Sequence, residues 1–255
     1  MPAVRRRRHV TLEVLGAAAL GAVLVTACTP STAPGRTGQA APATLPPTVM
    51  TTRPGLTTTA VPGPAFVGSV TVLSPTVRAR MTGHSWRPGC PVGLDDLRLL
   101  TMSYWGFDQL SHVGSMVVRS NQADAVVRVF RYLFAVRYPI RRMQPVDDFG
   151  ADDDASMAAD NTSAFNCRGV DGSPGVWSEH SYGWAIDVNP VENPWVRGTV
   201  VQPPAGAAYL DRSAVAAGMI HAGDVVVDLF ASIGWTWGGT FRNARDYQHF
   251  SASGR

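Results

Sequence analysis

The 255-residue sequence contains no lysine; all 22 of its basic side chains are arginine. Codon bias in a GC-rich coding sequence explains this better than any function. Clustered positive charge is missing as well. Residues 1 to 27 carry four Arg and one Glu, which account for the whole formal charge of +3 and leave the rest neutral. A nucleic-acid interface needs a basic patch, so no nucleic-acid partner is expected. Long apolar runs are absent too. The stretch Val14 to Val25, interrupted upstream by Thr11 and Glu13, falls short of the roughly 20 residues that span a bilayer. Cysteine is scarce, at three residues, and none has metal-like spacing. That speaks against a structural zinc protein, which wants four protein ligands, often with Cys. No internal repeat is present.

What is present begins at the N-terminus. Arg5-Arg6-Arg7-Arg8 followed by a short apolar core reads as an export signal over residues 1–27. Its end, Val25-Thr26-Ala27-Cys28, resembles a bacterial lipobox. This implies cleavage before Cys28 and a lipid on that Cys, which anchors the chain to the membrane facing the cell wall or periplasm. An ordinary secretory signal is the alternative, and the paired arginines also fit the twin-arginine route. Residues 28–65 are rich in Thr, Pro, Ala and Gly and hold too little apolar surface to offset their ordering entropy. They read as a disordered tether, reaching roughly 110 Å if extended and roughly 35 Å as a coil. With Cys28 lipidated, Cys90 and Cys167 remain. An even pair in an exported chain points to a disulfide, with two separate buried thiols as the alternative. The loop it would close, about 77 residues, is worth roughly 4 kcal/mol in the chain-entropy account.

The folded part is expected over residues 66–255, long enough to bury a real core. Phe66 to Leu73 and Gly114 to Val118 read as strands, and Leu94 to Leu100 as a short helix. Asn121 to Val136 is the clearest helix. Its apolar residues Ala123, Val126, Val127, Phe130, Leu133 and Phe134 recur at three and four, with Asn121 placed to cap it and Pro139 beyond its end. Asp147 to Asp160 reads as an acidic loop, Ala185 to Val188 as a strand, Ala222 to Ile233 as a helix, and Trp235–Trp237 and His249-Phe250 as the last strands. Helices mixed with short, non-alternating strands predict an α+β fold.

Two segments carry chemistry. The first is Ser178-Glu179-His180-Ser181-Tyr182-Gly183-Trp184-Ala185-Ile186-Asp187, and the second is Asp246-Tyr247-Gln248-His249-Phe250. Imidazole nitrogen and carboxylate oxygen are common zinc donors, and a catalytic site keeps three protein ligands and one open position. On a strand, Gly183, Ala185 and Asp187 share one face, so two small residues clear space beside Asp187. His180 lies in a turn just before. A second His, His249, arrives from far along the chain, and Asp246 stands three residues ahead of it.

These residues resemble the VanY-like zinc metallopeptidases, which comprise D-alanyl-D-alanine carboxypeptidases and L-alanyl-D-glutamate endopeptidases. The pattern Ser-x-His-x-x-Gly-x-Ala-x-Asp is met at Ser178, His180, Gly183, Ala185 and Asp187. The later Asp-x-x-His is met at Asp246 and His249. The family's preceding Arg has its counterpart at Arg168, within Ser163-Ala164-Phe165-Asn166-Cys167-Arg168. The resemblance covers roughly residues 95 to 250. It implies a Hedgehog/DD-peptidase-type fold with a small antiparallel sheet and flanking helices. It also implies Zn2+ on His180, Asp187 and His249, and peptidoglycan stem peptides as substrate. Asp246 would be the catalytic base and Arg168 the group that neutralises the developing oxyanion. Asp246 in place of the Glu frequent in carboxypeptidases resembles the endopeptidase-type branch. A non-catalytic zinc-containing wall-binding module is the alternative; such a relative would often lose the base while keeping the ligands.

The remaining candidates have plainer expectations. Glu179 is expected to point away from its ligand neighbour as a surface charge. Asp152-Asp153-Asp154 is expected to be a solvated loop rather than a calcium site. Trp184, Trp195, Trp235 and Trp237 are expected to pack in the core rather than line a glycan groove. The sequon Asn161-Thr162-Ser163 is set aside, and His84, His112 and His221 are given no role.

Overall fold

The computed structural model describes residues 63–170 and 173–254. The signal, Cys28 and the tether up to residue 62 lie outside the described residues. Among the described residues, no helix is long and apolar enough to cross a membrane.

Two small antiparallel sheets share a core with two helices. The first sheet runs Gly68–Val72, Leu97–Trp105, Ser111–Arg119, with Val70 opposite Leu100 and Leu100 opposite Met116. Its inward side chains Leu100, Met102, Met116 and Val118 pack against the helix Ala123–Ala135. That helix buries the apolar stripe expected from its three-and-four spacing. The second sheet is ordered Thr236–Trp237, His249–Ser251, Ala185–Asp187. It presents Ile186 and Phe250 to the core, and Phe250 stacks on Phe230 of the helix Val225–Ala231 at 4.1 Å. A third sheet joins Val200–Gln202, Trp195–Arg197 and Arg245–Asp246. Mixed helices and short antiparallel strands make this an α+β fold, as expected.

Several local expectations need correction. Leu94 to Leu100 is not a helix: Leu94–Asp96 is one 3-10 turn and the chain extends from Leu97 as the central strand of the first sheet. A short apolar run cannot separate a buried strand from a helix by periodicity, and pairing on both edges decides it. The acidic stretch is not an open loop. It forms a 3-10 turn at Val146–Phe149 and a helix at Asp153–Ala158, whose N-cap Asp152 accepts the Ala155 N–H at 3.0 Å. Carboxylates in the first turn complement the positive helix end. Asn121 does not cap the long helix; it sits inside a preceding 3-10 turn, Ser120–Gln122. The last helix spans only Val225–Ala231, shorter at both ends than read from the pattern, with Gly223 at φ +84° before it and Gly234 at φ +83° after it.

Cys90 and Cys167 form a disulfide with their Cα atoms 6.0 Å apart. Asn161 is fully buried, its side chain bonded to Gln144 and Ser156, so the sequon is closed in the folded chain. Trp235 and Trp237 are core residues, whereas Trp184 and Trp195 are half-buried.

Candidate metal centre

His180 stands on a 3-10 turn, Glu179–Tyr182, that Ser178 opens by accepting the His180 N–H at 3.3 Å. Gly183 closes it with φ +67°, a conformation that disfavours a side chain. A Cβ at Gly183 would also lie 2.6 Å from the backbone nitrogen of Arg119. The chain then enters the strand Ala185–Asp187. The alternation expected from Gly183 onward therefore holds only from Ala185, since Gly183 belongs to the turn. Asp187 pairs with His249 on one edge of its strand and with Ser163 on the other. Two ligands thus sit side by side across a ladder, and the turn swings the third over them.

The side chains converge. His180 Nε2 lies 3.1 Å from Asp187 Oδ2, and His249 Nδ1 lies 3.0 Å from Asp187 Oδ1. The two imidazole rings meet edge to face at 5.2 Å. All three residues are buried, and their donor atoms lie within 4.8 Å of one another. Donors around a tetrahedral zinc at about 2.1 Å are separated by roughly 3.4 Å, so only a small contraction is needed. The chemistry of the set fits as well. His180 Nδ1 lies 2.6 Å from the Ala164 carbonyl, to which an Nδ1–H donates, so Nε2 is the ring nitrogen that faces Asp187 and would face a metal. Burial alone would raise the Asp187 carboxyl, but the charge and hydrogen bonds of His180 and then His249 hold it far below the carboxylate range. An ionised carboxylate between two imidazoles is a ready donor set for a divalent cation.

Asp246 behaves in the opposite way. The residue is partly exposed, yet its Oδ1 is buried and has no hydrogen-bond partner among the described residues. Burial first, and also the charge of Asp187, push this carboxyl up to about 7, against the pull of His249, His180 and Arg168. These same interactions place it in electrostatic reach of the whole cluster. Gly238 permits the close approach of the preceding turn, since a Cβ there would meet the Asp246 backbone at 2.6 Å.

Arg168 reaches the site along the segment that follows Ser163. This segment runs past both ligands, with Asn166 N–H bonded to the His180 carbonyl at 3.2 Å. Ser181 clamps its end: its hydroxyl accepts the Arg168 N–H at 2.9 Å and donates to the Arg168 carbonyl at 2.7 Å. The guanidinium pairs with Asp153 at 2.6 Å. His180, Asp187 and His249 are therefore brought together, and Asp246 feels the charges of this cluster and of Arg168. The correction concerns Glu179, which is buried rather than a surface charge; the tight 3-10 turn carries it inward with its neighbours. Asp153, read as part of a solvated loop, is the residue that sequence reasoning missed. Nothing local marks it, because its contact with Arg168 joins two separate elements.

A buried His–Asp–His set with a nearby carboxyl and guanidinium is the equipment of a metal-dependent hydrolase. Residues 171–252 match the model of a peptidase family described as D-alanyl-D-alanine carboxypeptidase. The match spans both motifs and supports the VanY-like metallopeptidase family that they resemble. No curated protein and no solved structure matches the chain.

Proposed function

We propose that this chain is a zinc peptidase that hydrolyses a peptide bond in peptidoglycan stem peptides, with His180, Asp187 and His249 holding the metal. The observation that carries this reading is the ionised Asp187 carboxylate between two buried imidazoles, near the Asp246 carboxyl, whose buried Oδ1 has no hydrogen-bond partner among the described residues. Zinc bound there supplies Lewis acidity and makes a nucleophile of water at neutral pH. The protein's own groups do the rest. Asp246, with an acidity near neutrality, takes the proton of the attacking water and returns it to the departing amine. Arg168, steadied by Ser181 and Asp153, donates to the carbonyl oxygen as negative charge develops on it. Burial of the ligands keeps these charges out of bulk water and so strengthens their effect.

The finer parts of the reading belong together. They comprise a Hedgehog/DD-peptidase-type arrangement of the fold, export, a lipid anchor on Cys28, a tether over residues 28–65 and a peptidase domain over 66–255. A wall-facing anchor would bring the site to its substrate. Retention of Asp246 together with all three ligands favours an enzyme over a binding module.

The purified chain is expected to contain about one zinc and to cleave defined muropeptides at one bond, identified by product masses. Asp246→Asn is expected to keep the zinc and lose roughly 100- to 10,000-fold in turnover. Full activity in a zinc-free chain, or wild-type turnover in the variant, would remove this mechanism.

A further inference from the structure

The turn between Trp237 and Asp246 builds a second feature. A cavity of about 470 Å³ is lined by Thr240, Phe241, Arg242, Asn243, Ala244 and Gly254. Phe241 forms the wall it shares with the metal cluster, its ring lying 6.2 Å from the ring of His249. The same ring approaches Gly238, whose position also abuts Asp246. Phe241 therefore borders this cavity on one side and neighbours His249 of the metal cluster on the other.

The polar groups of the cavity are unspent. Arg242 and Asn243 are exposed, and among the described residues neither side chain makes a hydrogen bond or ion pair. The other cation of the turn is differently employed: Arg245 donates to the carbonyls of Gly239 and Phe241, at 3.3 and 2.9 Å, and so braces the loop. Residues 238–245 contain no acid, so no carboxylate of this turn offsets the charge of Arg242. A guanidinium fork, a neighbouring amide and an apolar ring beside them suit a planar carboxylate: two parallel N–H donors, a third donor and an apolar face to lie against.

We propose that this cavity is a carboxylate pocket, in which Arg242 and Asn243 hold an acid group carried by a peptide residue next to the scissile bond. The inference rests on the peptidase reading and extends it to substrate selection. Two sources share this chemistry. One is the free α-carboxylate at the end of a stem peptide, which would make the pocket a recogniser of chain ends. The other is the carboxylate of an internal acidic residue, which would align a bond within the chain.

The test is equilibrium binding, by calorimetry, to the zinc-loaded full chain carrying Asp246→Asn so that ligands persist. The probes are the pentapeptide L-Ala-γ-D-Glu-L-Lys-D-Ala-D-Ala, its C-terminal amide, its D-isoglutamine form and the doubly amidated peptide. Adding Arg242→Gln is expected to weaken the unmodified peptide roughly tenfold or more. One amidation alone should produce the same loss, and Arg242→Gln should then add nothing for that peptide. The amide that does so identifies the source of the carboxylate. Arg242→Lys, which keeps the charge but not the fork, should fall between. Equal weakening of all four peptides by Arg242→Gln, or weakening of none, overturns the pocket. Wild-type chain that cleaves none of the four while amide-sensitive binding persists overturns the peptidase reading and leaves the pocket standing. Cleavage by Arg242→Gln with unchanged KM does the reverse.

Discussion

Asp187 and Asp246 are both aspartates with buried carboxyls, yet their acidities move in opposite directions. Asp187 receives two imidazoles within 3.1 Å and stays ionised; Asp246 has an unpartnered Oδ1 and a negative neighbour, so it holds its proton more tightly. A donor for a cation and a group able to exchange a proton near neutrality thus come from one residue type, separated by partners alone. Glu192 shows the same physics away from the site. Burial first, then the charge and hydrogen bond of Asp160, raise its carboxyl from 4.5 to about 8. The folded chain therefore binds a proton there that the unfolded chain has released. Its contribution to stability is complete below about 4.5 and is lost as pH rises through about 8. Melting temperature is expected to drop between pH 5.5 and pH 9, and Glu192→Gln, neutral at both, should flatten that drop. An equal drop in the variant would show that another group is responsible.

At the level of elements, the site is a corner: a 3-10 turn, a glycine in left-handed conformation and a three-residue strand, bonded on both edges. The order of donors depends on that corner more than on any helix. Gly183→Ala would force a Cβ against the Arg119 backbone and impose a strained φ. The expected cost is about 1–3 kcal/mol of stability. Zinc affinity should fall as well, because His180 precedes the glycine and Asp187 follows it. Thermal unfolding and metal titration of the variant check both; unchanged values in both would mean that the corner tolerates the side chain. The corner was legible in sequence because its residues are close neighbours in one motif, although Gly183 lies in the turn and not on the strand face expected for it. The acidic segment was not, since Asp153 gains its meaning only when the helix Asp153–Ala158 docks beside Arg168.

Across the whole molecule, residues distant in sequence are brought to the site by, among other contacts, the ladder between Asp187 and His249, the pairing of Asp246 with Trp195, and the disulfide between Cys90 and Cys167. The disulfide ends one residue before Arg168, and Arg87 also donates to the Cys167 carbonyl at 2.9 Å. Replacing both cysteines by serine is expected to cost up to about 4 kcal/mol in denaturant unfolding. Turnover should fall while zinc content holds, because the loosened segment carries Arg168 and none of the three ligands. Unaltered stability and rate would reduce the bond to a bystander. The sequence by itself determined the ligand types, the motif spacings, the long amphipathic helix and the α+β class, because each follows from local periodicity or from residue chemistry over a few positions. Only the tertiary structure decided that Glu179 turns inward, that Asp153 grips Arg168, and that, among the described residues, Asp246 Oδ1 is buried without a hydrogen-bond partner and Arg242 has none. Burial and pairing are set by what the rest of the chain brings alongside, and no local pattern records that.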